Sequence, residues 1–285
     1  MQLRQALHAA VERLTSAGVP SPRMNAELLV MFTLGCDRAY LFAHPERELT
    51  PDETQRYDEA LARRATGVPA QYITGHQEFW GLDLIVSPAV LIPRPETEHL
   101  VEAVLELAQP DLRSQHGLRI VDVGTGSGAI ALALASELPA AEIHATDISP
   151  DALDVARANA ARLELGSRIE FHRGDLLGGF SPAAFDFVAS NPPYVGEAEE
   201  DSVQLEVRKF EPRNAVFAGP TGLEVIERLI PQAQIALKPG GWLIFEISGT
   251  IAAGVRHLLA SWAEVRLTND LQGIARVAAA RRLSV

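Results

Sequence analysis

Apolar residues recur every three or four positions through the first part of the chain, which is the spacing of a helix face. One stripe begins at Leu3, and a second follows Ser21-Pro22, where serine can cap a helix and proline suits its first position. Thr50-Pro51-Asp52-Glu53 is a capping box, and the helix it starts is expected to end by Gly67. Residues 1–70 are therefore predicted to form a small helical bundle.

Beyond residue 117 the pattern changes to short apolar runs that alternate with helical stripes. The helical stripes cover residues 128–137, the residues after Ser149-Pro150, and residues 223–237. This alternation predicts a parallel, doubly wound sheet that binds ligands beyond the carboxyl ends of its strands. Ahead of it, two apolar runs around Gly81 predict a hairpin or a bent strand. The predicted strands of the sheet are Arg119–Val123, Glu142–Asp147, 168–172, Phe185–Ser190, 242–247, 263–268 and 274–280.

Composition is that of a globular protein of ordinary size. Of its 285 residues, 47% are hydrophobic and 22% are charged, which allows one large domain or two smaller ones. The net charge of −12 argues against non-specific binding to nucleic acid, although a local basic patch would be compatible with it. Cys36 is the single cysteine, so no intramolecular disulfide can form. With no apolar stretch of about 18 residues and no signal peptide, we expect a cytoplasmic protein.

A glycine-rich turn follows the first predicted strand of the sheet. Gly124-Thr125-Gly126-Ser127-Gly128 stands between a strand and a helix, where glycines permit a tight turn and close approach of a ligand. Asp147 ends the next strand, and its carboxylate can accept hydrogen bonds from both hydroxyls of a ribose. An acid at a helix N-terminus is the alternative interpretation of Asp147. Together the two features predict a cofactor that contains adenosine, and they fit NAD and S-adenosylmethionine equally.

The third predicted strand is followed by Gly174-Asp175-Leu176, which by topology would lie near the adenine. Asp175 could accept a hydrogen bond from the exocyclic amine, and Leu176 could pack on the ring. A surface turn is the alternative interpretation of Asp175.

The fourth strand runs into Asn191-Pro192-Pro193-Tyr194. Asn191 and Pro192 each precede a proline, so both stay extended. The Asn191 side-chain oxygen and the Pro192 carbonyl can then act as paired acceptors for an NH2 group, beside the flat face of Tyr194. Two fixed acceptors orient a poorly nucleophilic nitrogen and support the charge that develops as it attacks a methyl group. The chemistry needs no metal, and none of the eight histidines lies in an obvious catalytic context, which favours S-adenosylmethionine over NAD.

Five segments together carry a resemblance to a known family, over about residues 70–280. They are Ile92-Pro93-Arg94-Pro95-Glu96-Thr97-Glu98, residues 122–128, Ser190-Asn191-Pro192-Pro193-Tyr194, Phe210-Glu211-Pro212-Arg213 and Gly273-Ile274-Ala275-Arg276. With them the chain resembles the HemK family of release-factor glutamine methyltransferases. The resemblance implies an α/β class I S-adenosylmethionine-dependent methyltransferase, with a Rossmann-like, seven-stranded mixed sheet and a small N-terminal helical bundle.

The resemblance also implies the reaction. The methyl donor would be S-adenosyl-L-methionine, with S-adenosyl-L-homocysteine as product and no metal. The acceptor would be the side-chain amide nitrogen of the glutamine in the Gly-Gly-Gln motif of class 1 peptide chain release factors. Asn191, Pro192 and Tyr194 would be catalytic, and Pro193 would join them in binding the glutamine. The cofactor would be held by Gly124, Thr125, Gly126, Ser127, Gly128, Asp147, Asp175, Leu176 and Asn191, although the family often has an aromatic residue where Leu176 stands.

We expect three parts: a helical substrate-binding domain over residues 1–70, a hairpin and linker over 71–98, and a methyltransferase domain over 99–285. Residues 93–98 are expected to cover the methionine end of the cofactor, or to form a rigid linker. Residues 210–212 are expected to order the loop beside the substrate or to serve packing.

For partners we expect a release factor, no direct contact with nucleic acid or membrane, and a monomer. The alternative function is an amino-group methyltransferase that acts on rRNA or DNA bases, which predicts a basic groove beside Tyr194.

Overall fold

The structure is a computed structural model that describes residues 1–112 and 117–284. Its helices are α1 (Leu3–Ser16), α2 (Pro22–Leu34), α3 (Arg38–Ala43), α4 (Pro51–Ala65), α5 (Ala70–Thr74), α6 (Glu98–Leu112), α7 (Ala129–Glu137), α8 (Pro150–Arg162), α9 (Leu205–Phe210), α10 (Arg213–Val216), α11 (Glu224–Ala236) and α12 (Ala252–Leu258). Its strands are β1 (His76–Phe79), β2 (Leu82–Ile85), β3 (Arg119–Val123), β4 (Glu142–Asp147), β5 (Ile169–Arg173), β6 (Phe185–Ser190), β7 (Val195–Gly196), β8 (Phe217–Gly219), β9 (Leu237–Glu246), β10 (Ala263–Asn269) and β11 (Ala275–Arg281). Among these described helices, none combines the length and the hydropathy needed to cross a bilayer.

The chain divides into two compact units. The first comprises residues 1–76 and 204–210, and the second comprises residues 77–203 and 211–285. The predicted limit at residue 70 therefore falls inside the first unit, and most of the predicted hairpin and linker belongs to the second. Residues 204–210 join the first unit although they lie far along the chain.

The first unit is built from the amphipathic helices that the sequence predicts. α1, α2 and α4 bury a common apolar cluster, and within it the Tyr57 hydroxyl donates to the Ala26 carbonyl at 3.0 Å. The capping box of α4 is present, with the Glu53 backbone N–H bonded to Thr50 Oγ1 at 3.2 Å. The cap predicted at Ser21 is wrong: α2 does begin at Pro22, but Ser21 is left-handed with φ +48° and its side chain makes no cap bond. In that backbone conformation the proline, rather than a serine cap, starts the helix.

The second unit contains a seven-stranded sheet of order β10-β11-β9-β6-β3-β4-β5. The five strands from β9 to β5 are parallel, whereas β11 runs antiparallel to both of its neighbours. The mixed sheet implied by the family resemblance is confirmed, and the fully parallel sheet suggested by the alternation is wrong for β11, which runs opposite to the other strands of this sheet. The reason is the short connection over residues 270–274, because only antiparallel neighbours can be joined by a tight turn.

Both faces of this sheet are buried along its central strands β3, β6 and β9, whose residues are mainly apolar. Ile120 packs with α6 and α7 on one face, while its neighbour Val121 packs with α11 and α12 on the other. The alternation of side chains along a strand produces this division. The two apolar clusters, one on each face, therefore fix the parallel strands, whose carboxyl ends lie along the same edge of the sheet.

The predicted hairpin is confirmed. Trp80 and Gly81 form the turn between β1 and β2, both with positive φ, as a type I′ hairpin turn requires. The fully buried Asn159 of α8 bonds the Ile85 backbone N–H at 2.6 Å and its carbonyl at 3.0 Å. The same amide donates to the Ser127 carbonyl at 2.9 Å, which ties the hairpin to the glycine-rich turn.

Candidate functional site

A cavity of about 550 Å³ lies at the carboxyl edge of the parallel strands. Gly124, Asp147, Asp175 and Asn191 all line it, although each follows a different strand. This is the edge at which doubly wound sheets bind ligands. The predicted residues that line the cavity are Gly124, Thr125, Gly126, Ser127, Asp147, Asp175, Leu176, Asn191 and Pro193, whereas Gly128, Pro192 and Tyr194 lie outside the lining.

The glycine-rich turn leaves space for a ligand at the wall of the cavity. Gly124 and Gly126 have φ of +73° and +55°, and a Cβ added at either would meet no atom within 4 Å. Gly128 differs, because its added Cβ would lie 3.2 Å from the Ala156 Cβ and from Leu132. The first two glycines thus keep the wall open to a ligand, and Gly128 lets α7 and α8 pack closely.

Asp147 is a carboxylate held by the backbone. Its two oxygens accept hydrogen bonds from the backbone N–H groups of Gly126 and Ser149, both at 2.9 Å. Burial raises the pKa of Asp147, and these backbone hydrogen bonds oppose the rise. Ile148, next along the chain, is 57% exposed and also lines the cavity. A fixed acceptor therefore stands beside an exposed apolar side chain.

Asp122 stabilises the glycine-rich turn from the protein interior. It is fully buried, and its Oδ2 accepts from Thr125 Oγ1 at 2.6 Å and from the Ala131 backbone N–H at 3.2 Å. Its Oδ1 has no hydrogen-bond partner among the described residues. Burial raises the pKa of Asp122 to about 7. Asp122 is outside the cavity lining, so it acts on the shape of the turn.

Asp175 and Leu176 reach the cavity together. The Asp175 carboxylate forms a salt bridge with Arg228, and both groups are about half exposed. Leu176 has a positive φ of +54° and packs against the apolar cluster of α11 and α12. The carboxylate predicted to face an adenine amine is therefore already engaged by an arginine that the sequence analysis did not identify.

Asn191 is the first member of a series of hydrogen-bonded polar groups, of which the middle two are buried. Its Nδ2 donates to Thr97 Oγ1 at 3.0 Å, and Thr97 Oγ1 donates to Glu246 Oε2 at 2.5 Å. The other Glu246 oxygen accepts from the Tyr194 hydroxyl at 2.8 Å. Thr97 and Glu246 are 3% and 2% exposed. Burial raises the pKa of both Glu246 and Tyr194, while the hydrogen bonds from Thr97 and Tyr194 oppose the rise at Glu246.

When Glu246 is ionised, this series of hydrogen bonds fixes which end of the Asn191 amide faces the protein. An ionised carboxylate can only accept, so the Thr97 hydroxyl must donate to Glu246 and offer its oxygen to a donor. The Asn191 NH2 group is that donor, which leaves Oδ1 available as an acceptor. Within the described part of the chain, no hydrogen bond uses Asn191 Oδ1.

The segment that carries Thr97 is held by Glu211. This buried carboxylate accepts from the Ile92 backbone N–H at 3.0 Å and forms a salt bridge with Arg94. Pro93 and Thr97 both line the cavity. The segment therefore contributes directly to the cavity wall, and Glu211 of the predicted 210–212 motif positions it.

Sequence reasoning missed Thr97 as a partner of Asn191, and it missed Glu246, Arg228 and Ile148. Glu246 did leave a signal, because it is the one charged residue in the apolar run over residues 242–247. Ile148 left a weaker one as an apolar residue directly after the end of a strand. Arg228 left none, since an arginine on an amphipathic helix is ordinary.

The charge of the cavity does not match the basic groove that nucleic-acid binding would predict. Its described lining contains Asp147, Asp151 and Asp175, and Arg228 is the only basic residue in that lining. Because Arg228 is paired with Asp175, the lining offers acceptors rather than cationic groups for a phosphate backbone.

Two solved methyltransferase structures have a fold similar to that of this chain. The catalytic domain of hMettl16, crystallised with an RNA hairpin, has a TM-score of 0.58 and 18% identity, with 80% of this chain and 81% of that chain covered. A methyltransferase from Pyrococcus furiosus has a TM-score of 0.52 and 18% identity, with 81% and 99% covered. At these identities the likeness establishes the fold alone.

Sequence comparisons are more specific. The PrmC N-terminal domain matches residues 5–75, and the methyltransferase small domain matches residues 102–209. A release factor glutamine methyltransferase of Koribacter versatilis is 56% identical over 283 residues, with 99% of each chain covered. The protein of the same name from Moorella thermoacetica is 46% identical, with 90% of this chain and 89% of that protein covered. The one from Deinococcus radiodurans is 43% identical, with 99% of each chain covered. The chain therefore belongs to the release factor glutamine methyltransferase family.

Proposed function

We propose that this protein transfers a methyl group from S-adenosyl-L-methionine to the side-chain amide nitrogen of the glutamine in the Gly-Gly-Gln motif of class 1 release factors. The observation that carries the proposal is the Asn191 amide, which is fixed through Thr97 to Glu246 and lines the same cavity as the glycine-rich turn and Asp147. Membership of the family supports the choice of substrate.

The cavity offers the space, the hydrogen-bond acceptor and the apolar surface that S-adenosylmethionine would need. Gly124 and Gly126 leave space for close approach, and the fixed Asp147 carboxylate suits the two hydroxyls of a ribose. Ile148 and Leu176 would offer apolar surface to the adenine. When bound, this cofactor supplies an electrophilic methyl group on a positively charged sulfur, and S-adenosyl-L-homocysteine is the product.

Asn191 would orient the glutamine. With its NH2 group committed to Thr97, Asn191 presents Oδ1 to one N–H of the substrate amide, and the Pro192 carbonyl is the proposed second acceptor. Such a pair holds the amide nitrogen in place and stabilises the positive charge that develops on it. The nitrogen loses a proton after it has gained the methyl group, and solvent can accept that proton.

Tyr194 would act through Glu246. Its hydroxyl donates to the buried carboxylate, and its ring packs against the apolar cluster of α11 and α12. We therefore propose a positioning role for Tyr194, in addition to any contact of its ring with the substrate. Pro193, which lines the cavity, is the proposed contact for the glutamine side chain.

The helical domain predicted over residues 1–70 is proposed to bind the release factor, with residues 71–98 as hairpin and linker and residues 99–285 as the methyltransferase domain. Support comes from large apolar side chains that the first unit exposes, including Met24, Phe32 and Phe42 at 64%, 50% and 62%. Phenylalanine and methionine are enriched in surfaces that bind another protein.

The test is mass spectrometry of a class 1 release factor after incubation with this protein and S-adenosylmethionine. We expect a mass gain of one methyl group, located on the glutamine of the Gly-Gly-Gln peptide. A release factor in which alanine replaces that glutamine is the control and should remain unmodified. Methylation of rRNA or DNA, with the release factor left unmodified in parallel reactions, would contradict the proposal and favour the alternative function.

A further inference from the structure

Two neighbouring strands place a second cluster of polar side chains away from the cavity. His144 of β4 pairs in register with Glu170 of β5, and His172 follows Glu170 two positions along the same strand. Residues two apart on a strand point to the same face, so the three side chains meet on one face of the sheet. His144 is 4% exposed, while the side chains of His172 and Glu170 are 31% and 65% exposed. None of the three lines the cavity described above.

The distances within the cluster are those of a metal site. His144 Nδ1 and His172 Nε2 are 3.0 Å apart, and the Glu170 carboxylate places Oε2 3.5 Å from His144 Nδ1 and Oε1 3.5 Å from His172 Nε2. Ligand atoms that surround Zn²⁺ tetrahedrally at about 2.0–2.1 Å are separated from one another by about 3.3 Å. The two nitrogens now share a hydrogen bond and their rings lie within 24° of parallel, so an ion would replace the shared proton after the rings rotate to aim both lone pairs at it.

The surroundings of His144 match the outer shell of a metal site. Its other ring nitrogen, Nε2, lies 2.8 Å from Glu142 Oε1 and 3.3 Å from Arg119 Nη2, and the closer carboxylate favours a proton on Nε2. Nδ1 is then left with its lone pair toward His172 and Glu170. Arg119 contacts both Glu142 oxygens, at 3.0 and 3.1 Å, and fixes that carboxylate. A histidine ligand oriented by a carboxylate is a recurring arrangement around zinc.

Aromatic side chains restrict one side of the cluster. Phe180 makes edge contacts with both imidazole rings, at centroid distances of 4.9 Å to His172 and 6.0 Å to His144. Phe185 makes a similar contact with His144 at 5.2 Å. The two rings are therefore held in place, while Glu170 keeps the cluster open to solvent.

We propose that His144, Glu170 and His172 form a binding site for a divalent cation of the Zn²⁺ class, with Glu142 orienting His144. Two imidazoles and one carboxylate are ligands that suit Zn²⁺ and leave a fourth position for water. The ion would link β5, the edge strand of the sheet, to β4, whose last residue is Asp147. Its role would be structural, and the methyl transfer proposed above does not depend on it.

Isothermal titration of the full chain, prepared without a polyhistidine tag, with Zn²⁺ tests the proposal. We expect one equivalent to bind, and we expect Co²⁺ in its place to give the visible absorption of a four- or five-coordinate ion. Glu170→Gln and His172→Ala should weaken binding by at least about 10-fold, and Glu142→Gln should weaken it by about 10- to 100-fold. His257→Ala, which removes an exposed histidine from α12, is the matched control and should bind as the wild type does.

Circular dichroism of each variant shows whether it is folded, and the wild type offers a second readout that needs no variant. The ring signals of His144 and His172 in ¹H–¹⁵N spectra should shift on addition of one equivalent of Zn²⁺, whereas the His257 signals should not. Absence of saturable binding by the wild type would overturn the proposal. So would binding that Glu170→Gln and His172→Ala leave unchanged, or ring shifts confined to other histidines.

Discussion

At the residue scale, the direction of one hydrogen-bond chain decides which group Asn191 offers to a substrate. With Glu246 ionised, protons point from Asn191 to Thr97 and from Thr97 to Glu246. If Glu246 gains a proton on Oε2, it donates to Thr97, whose hydroxyl then donates to Asn191 Oδ1. The amide NH2 group would then face the cavity, and a donor there repels the N–H groups of a glutamine. Activity should therefore require ionised Glu246.

Glu246→Gln tests this requirement. Burial and the charge of Glu96 raise the pKa of Glu246, while Arg276 opposes the rise, so its carboxyl gains a proton at a higher pH than an exposed glutamate does. The wild-type kcat should therefore fall as pH decreases through that raised pKa. The variant should have a kcat at least about 10-fold lower and should lack this acid limb.

The control is Glu227→Gln, which changes an exposed acid on α11 and should keep the wild-type pH profile. An unchanged acid limb in Glu246→Gln would show that another group is responsible for it.

Thr97 can be tested by one substitution that removes its hydroxyl and one that keeps it. Thr97→Val keeps the shape of the buried side chain but removes the link between Asn191 and Glu246. We expect kcat to fall by about 10-fold or more, since a lost buried hydrogen bond costs about 1–3 kcal/mol. Thr97→Ser should recover most of the rate. Steady-state kinetics that show equal losses for valine and serine would mean that packing, rather than the hydroxyl, matters at this position.

Asp122 should make stability depend on pH. Its carboxyl has a pKa of about 7 in the folded protein, compared with 3.8 ordinarily, so the folded state holds this proton more tightly than the unfolded chain does. The free energy of unfolding should therefore decrease as pH rises from about 4 to about 7, and this contribution should be constant above pH 7. The upper limit of the change is about 4 kcal/mol, from three pKa units at about 1.4 kcal/mol each.

Urea unfolding of the wild type and of Asp122→Asn at pH 5 and pH 8 measures this contribution. The wild type should lose more stability than the variant between these two values. Equal losses would place the titrating group elsewhere.

At the scale of elements, the sequence predicted where most strands and helices lie but not how all of them pair. β3, β4 and β6 have the predicted limits, because each ends at a glycine or a polar turn. The antiparallel insertion of β11 between β9 and β10 depends on contacts distant along the chain, and only the family resemblance indicated it. Thr97 and Glu246 are separated by 149 residues, so no local pattern could place them together.

The helices of the first unit give a prediction about substrate binding. Phe32 of α2 and Phe42 of α3 expose apolar rings. We expect the double substitution Phe32→Ser and Phe42→Ser to raise KM for the release factor about 10-fold, because exposed aromatic groups contribute strongly to interfaces. The affinity for S-adenosylmethionine should not change.

The matched control for this pair is Leu271→Ser, which removes a fully exposed apolar side chain from the second unit. A similar rise in KM for the control, or no rise for the double variant, would argue against release-factor binding by the first unit.

At the scale of the whole molecule, the site is assembled from turns that follow four parallel strands. The sequence could identify the turns at Gly124, Asp147, Asp175 and Asn191 because each carries its polar residue at a strand end, and topology brings strand ends together. The supporting residues Glu246 and Arg228 belong to a buried strand and to a helix. The sequence could not identify them, because only the fold brings them to their partners in the site. The net charge of −12 and the acidic cavity lining both agree with a protein substrate.

The central claim is that Asn191 presents a fixed acceptor to the glutamine amide. The most direct measurement is the single-turnover rate of methyl transfer to a release factor by wild type and Asn191→Ala, with the dissociation constant of S-adenosylmethionine measured on the same preparations. We predict that the rate falls by about 10²-fold or more while cofactor affinity changes little, because one oriented acceptor is lost. An unchanged rate, or a loss explained wholly by weaker cofactor binding, would contradict the account.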